Sequence, residues 1–281
     1  MKIGVFYPEN NALHGTALLA FADGLRTIGQ TPVVRLLEQY VPVDVAVIFG
    51  VGKKNVPVSY LRERVIVEQQ KCNSRTIIIE KGFVKRDEYY MVGMNGLNNN
   101  AYYNNKNCTG SRWEQLDMPV TPLRDKDGAI LICGQVPSDA SVRHIDIMQW
   151  YGNLVYSIKK ITKRPIIFRP HPLAINRTPH MLGTKLSTGS LEEEMDNARV
   201  VVTFNSNTAV DAILHGVPAL SFDKGSMAWD VTGHGIHNAE HPYRPSAEII
   251  TQWAYNLAYT QWNLEEMAKG LPFLHLLNLD K

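Results

Sequence analysis

Pro165-Ile166-Ile167-Phe168-Arg169-Pro170-His171-Pro172 decides the fold. A second stretch, Val200-Val201-Val202-Thr203-Phe204-Asn205-Ser206-Asn207-Thr208-Ala209-Val210-Asp211, repeats its grammar about 35 residues on. In each, a short apolar strand runs straight into a tight polar turn. Parallel α/β sheets place ligands where strand C-termini meet such turns and the helix starts that follow. The first turn carries the Arg169 guanidinium and the His171 imidazole, stiffened by two prolines. The second offers Ser206, Asn207 and Thr208 at a helix start, where open N–H groups and the helix dipole favour an anion. The pair reads as a clamp for a diphosphate or phosphate ester. Capping a helix and binding a phosphate share one geometry, so Ser206, Asn207 and Thr208 fit either role. Asp211 reads equally as a charge stabilised by the dipole or as a partner for a sugar hydroxyl.

The same grammar spreads outward. Strands are predicted at 129–133, 165–168, 200–203 and 218–222, with helices at 144–162, 191–197 and 208–215. Gly134 follows the first of these strands. It either lets a ligand approach the backbone or simply makes a tight turn. The first half alternates too, with strands at 2–7, 31–36, 43–49 and 76–80 and helices at 14–28 and 60–70. This βαβ order predicts right-handed parallel sheets. The expected architecture is two Rossmann-like α/β domains, 1–125 and 126–245, facing an interdomain cleft. A helical tail, 246–281, is expected to pack across them. Residues 95–107, rich in Asn and Tyr, read as a loop, and 119–128 as a solvated linker. That linker position argues against a metal site at Asp125-Lys126-Asp127.

With 281 residues, 44% hydrophobic and 20% charged, the chain suits a soluble globular protein with two medium domains. No run approaches the roughly 20 apolar residues of a membrane span. The opening residues read as a strand rather than a signal peptide, so a cytoplasmic location is expected. Cys72, Cys108 and Cys133 are widely spaced and read as reduced thiols. The net charge of +2 hides a basic stretch at 53–86, where nine Lys and Arg face only Glu63, Glu68 and Glu80. Lys53, Lys54, Lys85 and Arg86 there either attract phosphates or coat solvated surfaces. Glu80 ends the strand at 76–80 and is a candidate general base for an incoming hydroxyl. Its other reading is an ion pair with Lys81, Lys85 or Arg86. Glu9, after the first strand, and His14 are the rival bases.

On these residues the chain resembles compact GT-B glycosyltransferases, in particular the capsule-polysaccharide transferases and the more distant bacterial sialyltransferases. In those families a His-Pro turn and a later Ser-rich helix start bind the phosphate of a nucleotide sugar. The matching positions are Arg169-Pro170-His171-Pro172 and Asn205-Ser206-Asn207-Thr208, with one serine where sialyltransferases have two. Glu80-Lys81-Gly82-Phe83-Val84-Lys85-Arg86 resembles the acidic segment of the capsule group, and Glu80 maps to the sialyltransferase base. The resemblance implies an inverting transferase with a nucleotide-sugar co-substrate and no metal or other cofactor. A second resemblance, resting on size and charge, is to phage glycosyltransferases that modify hydroxymethylated pyrimidines in DNA. It implies host cytoplasm and duplex DNA as partner, with Lys53, Lys54, Lys85 and Arg86 on phosphates and Tyr102 and Tyr103 on an extruded base. That acceptor is the leading expectation and a capsule or lipopolysaccharide glycan the alternative. A sugar-nucleotide 2-epimerase and a non-catalytic binding protein are the other classes. Oligomeric state is not read from the sequence.

Overall fold

The computed structural model describes residues 1–9, 12–52 and 56–277. Among these the chain runs β1 (Ile3–Tyr7), α1 (Ala12–Thr27), β2 (Val33–Leu36), β3 (Val45–Phe49), α2 (Pro57–Lys71), β4 (Arg75–Lys81), β5 (Tyr89–Met94) and α3 (Ser111–Leu116). It continues through β6 (Ala129–Cys133), α4 (Ile147–Ile161), β7 (Ile166–Arg169), β8 (Lys185–Leu186), α5 (Leu191–Asp196), β9 (Ala198–Thr203), α6 (Thr208–Leu214) and β10 (Ala219–Ser221). Then come α7 (Ala247–Ala258), β11 (Gln261–Asn263), α8 (Leu264–Ala268) and α9 (Leu271–Leu277). The chain divides into two compact units, Met1–Arg112 with the segment from Asn256 onward, and Trp113–Tyr255.

The first unit holds a sheet of order β11-β5-β4-β3-β1-β2. β1 to β4 pair in parallel, as the βαβ alternation requires. Side chains alternate across it. Val45, Val47, Phe49, Ile77 and Ile79 pack on one face with α1, while Ala46, Ile48 and Ile78 pack on the other with Val65 of α2. Strands buried on both faces read as unbroken apolar runs, which is why β3 and β4 stand out in the sequence. The sheet is not wholly parallel, however. β5 runs antiparallel to β4, and β11 antiparallel to β5. The reversal between β4 and β5 is local, with Glu88 N donating to Lys85 O and Lys85 itself at φ 45°.

The tail expected as one helix is broken by β11. Gln261 explains the break. Its side-chain oxygen accepts from Phe83 N at 2.8 Å and Val84 N at 3.1 Å, tying the tail to the turn after β4. The helix then restarts at Asn263, whose side chain and that of Glu266 form a reciprocal cap. Trp262, Met267, Phe273 and Leu276 join the first unit's core.

The second unit holds an all-parallel sheet, β10-β9-β6-β7-β8. Ile147, Tyr151, Leu154, Val155 and Ile158 form the buried stripe of α4 against it. Residues 119–128 are half-buried or exposed, as a solvated linker would be, and polar contacts tie them to this unit. Arg124 N donates to Gly216 O, Asp125 pairs with Arg244 and Arg199, and Asp127 pairs with Arg164.

Candidate functional site

In the second unit the strand order puts β9, β6 and β7 side by side, so three polar turns leave one edge of the sheet together. Gly134 follows β6 and donates its N–H to Arg169 O at 2.7 Å. A Cβ on Gly134 would come within 3.2 Å of Arg169 O and 3.3 Å of His171 N, so its bare α-carbon is what lets the two turns touch. Gln135 and Asn205 lock the other side. Gln135 Nε2 donates to Asn205 Oδ1 at 2.8 Å, and Asn205 N returns a bond to Gln135 Oε1 at 3.1 Å. Asn205 Nδ2 also donates to Ser141 O and to Asp223 Oδ1, both at 2.9 Å. Gln135 is 7% and Asn205 6% exposed, so they are the frame of this edge.

His171 accepts from Leu173 N through Nδ1 at 3.1 Å, capping the short helical turn that follows. In the neutral ring that leaves the proton on Nε2. Arg169 Nη1 donates to Ser187 Oγ at 2.8 Å and Gly189 O at 2.6 Å, bracing the loop after β8. Ser206 Oγ accepts from Thr208 N at 3.2 Å and lies 3.1 Å from Thr208 Oγ1. Asn207 Nδ2 donates to both carboxylate oxygens of Asp211, at 3.3 and 3.4 Å. Cys133, at the end of β6, is pushed up to about 12 by burial, and Asp211 and Glu194 add to this against the pull of Arg169. It is a neutral core thiol. Gln135 and Asp223 were not among the residues expected here; their signal was position, each falling just after a strand of the same sheet.

The first unit gathers a second group of residues. Glu80 lies near the C-terminal end of β4 and accepts from Lys81 N at 3.0 Å. Its Oε2 would lie 2.8 Å from a Cβ on Gly50, and Arg62 Nη1 would lie 3.5 Å from the same point. Arg62 Nη2 donates to His14 Nδ1 at 3.1 Å, and the His14 ring stacks on Phe49 with centroids 4.1 Å apart. Burial, with Arg62's charge added, pushes His14 down to about 4, so it is neutral at pH 7. Arg62 is only 6% exposed. It belongs to the basic stretch at 53–86 but falls on the buried face of α2 with Ser59, Val65 and Gln69, at spacings of three and four. That placement was readable from the helix period.

Glu9 is exposed in the turn after β1. Lys85 and Arg86 are exposed in the turn between β4 and β5, where Arg86 O accepts from Lys81 Nζ. Lys53 and Lys54 lie outside the described residues. Tyr102 is 52% exposed and bridges Met94 as a short antiparallel pair. Tyr103 needs correction. It is 3% exposed, its hydroxyl donates to Asn98 O at 2.9 Å, and its ring packs in the interior, so no face is open to a base. The residues grouped for a DNA acceptor are therefore not one exposed set.

Two Rossmann-like α/β units in one chain, one sheet parallel throughout and the other parallel over β1 to β4, give this chain a GT-B fold. Solved structures agree, and those similar to it include GT-B glycosyltransferases. The β-Kdo 2,7-transferase of Thermosulfurimonas dismutans KpsC aligns over 100% of both chains with a TM-score of 0.56 and 14% identity. The β-Kdo 2,4-transferase of the same KpsC covers 91% of this chain and 89% of its own, with a TM-score of 0.59 and 13% identity. A UDP-GlcNAc 2-epimerase from Methanocaldococcus jannaschii spans 99% of this chain at 11% identity, but its TM-score of 0.35 is too low to bear on the fold. No protein-family model matches the sequence, and no curated protein matches it. No helix among the described residues is long and apolar enough to cross a membrane.

Proposed function

We propose that this protein is a glycosyltransferase that moves a sugar from a nucleotide-activated donor to a glycan hydroxyl, in the manner of capsule-polysaccharide assembly. One observation carries the reading. The turns of Gly134, of Arg169 to His171 and of Asn205 to Thr208 leave adjacent strands of one parallel sheet at one edge. Such an edge, lined by a guanidinium, an imidazole and a helix start, suits a phosphate ester. The fold shared with the two Kdo transferases favours a glycan acceptor over duplex DNA.

In this scheme the donor phosphate lies on the second unit, with Arg169, His171, Ser206, Asn207 and Thr208 as its contacts and Asp211 beside the sugar or ribose hydroxyls. Glu80 of the first unit takes the proton of the acceptor hydroxyl. The acceptor oxygen then bonds to the anomeric carbon, and the bond from that carbon to the phosphate oxygen breaks. The electron pair leaves with the nucleotide, whose growing charge is met by Arg169 and by the N–H of His171 Nε2. The anomeric centre inverts. No metal takes part in these steps.

The test is product analysis by mass spectrometry. The protein is incubated with a panel of nucleotide sugars, activated Kdo included, and with capsule-type oligosaccharides or hydroxymethylcytosine DNA, with and without EDTA. A sugar mass added to the oligosaccharide in EDTA is the expected result. Addition to DNA would reverse the choice of acceptor, and an altered nucleotide sugar without acceptor would mark an epimerase. Glu80→Gln is expected to lose at least about 100-fold in transfer while keeping donor binding by calorimetry. A fully active Glu80→Gln variant removes Glu80 as the base.

A further inference from the structure

Glu80 and Arg62 come together beside Gly50, and Arg62 also reaches His14. Glu80 comes from β4, Arg62 from the buried face of α2, and His14 from the first turn of α1. Gly50 itself sits at φ 65°, and any Cβ there would strike Glu80 Oε2 at 2.8 Å. The missing side chain is thus the space that the carboxylate occupies. We infer that Arg62 is a positioning residue of the acceptor-activating site, its guanidinium bonded to the His14 imidazole and its charge set near the Glu80 carboxylate, with no direct bond to it. The inference rests on the reading of Glu80 as the base.

The chemistry of the guanidinium supports this role. Arginine only donates, through a rigid planar fork, and stays charged when buried. Its contact to His14 Nδ1 at 3.1 Å therefore uses the ring's lone pair. The neutral imidazole must then carry its proton on Nε2. His14 becomes a hydrogen-bond donor and is withdrawn from service as a base. At the other end, Nη1 faces the same bare α-carbon as Glu80 Oε2. A buried cation is tolerated only beside compensating charge, and Glu80's charge raises the Arg62 pKa against the stronger lowering by burial. The titratable groups facing Arg62 among the described residues are Glu80 from β4 and His14 from α1. A neighbouring cation favours the ionised carboxylate, the form a general base needs.

A purely structural arginine would alter stability and leave the acid limb of transfer and its kcat in place, while its charge shifts His14 in either case. The test reads the titrations directly. In wild-type protein the His14 ring resonance, identified by its loss in His14→Gln, is expected to titrate by NMR at about 4. In Arg62→Gln its midpoint is expected to rise by about one unit or more. In the same variant the acid limb of the transfer pH profile should also move up by about one unit, while kcat falls roughly tenfold to a hundredfold and donor KM holds. Arg62→Lys keeps the charge without the fork, so it should recover the acid limb but not the full kcat. An unmoved acid limb and an unchanged kcat in Arg62→Gln would overturn the role. Should that variant fail to fold, a wild-type His14 midpoint near the ordinary 6.5 would overturn it alone. Failure of the base reading looks different: Glu80→Gln would remain active while the His14 midpoint still rose in Arg62→Gln.

Discussion

His14 makes a pH-sensitive contribution to folding whose sign follows from its surroundings. Its folded pKa of about 4 lies below the ordinary 6.5. Between those values the unfolded chain binds more protons, so stability is complete above about pH 6.5 and drains away as pH falls toward 4. Melting temperature is therefore expected to drop between pH 7.5 and pH 5, and His14→Asn to shrink that drop. An identical drop in both proteins would mean that His14 takes up its proton alike in the folded and the unfolded chain. On sequence grounds His14 was the third candidate base, after Glu80 and Glu9. Its contact with Arg62, which fixes its tautomer, was not readable there. Tyr103 teaches the same lesson in reverse. Tyr102 and Tyr103 are neighbours of one type in one polar stretch, yet one is exposed and the other is core.

The segment after β5 shows how residue choice builds an element without a period. Asn95, Asn98, Asn104 and Asn107 all sit at positive φ, between 49° and 60°, which asparagine tolerates better than most residues. Their side chains then tie the loop down, with Asn95 Oδ1 accepting from Thr76 N and Asn104 Nδ2 donating to His275 O. The loop was legible as a loop, but its anchoring was not, because the partners lie far along the chain. Helix α1 poses a sharper test. By helix propensity alone, Gly24→Ala should stabilise it by about 1 kcal/mol. By packing, the added Cβ would lie 1.8 Å from Met267 O and 2.6 Å from Gly270 N, both backbone atoms. Packing should win. Gly24→Ala is expected to cost about 3 kcal/mol and lower the first unit's melting temperature by about 5–10 °C. A higher melting temperature would show that α1 does not pack this closely on α8.

The last stretch of chain is the largest single debt the first unit owes to distant sequence. Ending the chain at Tyr255 would strip Trp262, Met267, Phe273 and Leu276 from its core and leave β5 without β11. It would also remove Glu266, the partner of Arg112 at 2.6 Å, and the Trp262 ring on which that guanidinium lies at 3.8 Å. Calorimetry of the truncated chain is expected to lose the transition of the first unit and keep that of the second. Survival of both transitions would refute the closing role of the tail.

The alternation of apolar strands and amphipathic helices, the parallel core of each sheet and the three polar turns of the second unit were all readable in the chain. They depend on neighbours: a strand's period of two, a helix's period of 3.6, and the turn residues that follow. The antiparallel edge of the first sheet and the approach of Arg62 to Glu80 and to His14 were not. Those depend on contacts such as Gln261 with Phe83, 178 residues apart, and His14 with Arg62, 48 apart. Local pattern says what an element is. Which buried side chain faces which is settled only when the elements pack, because burial and charge there belong to the assembled core.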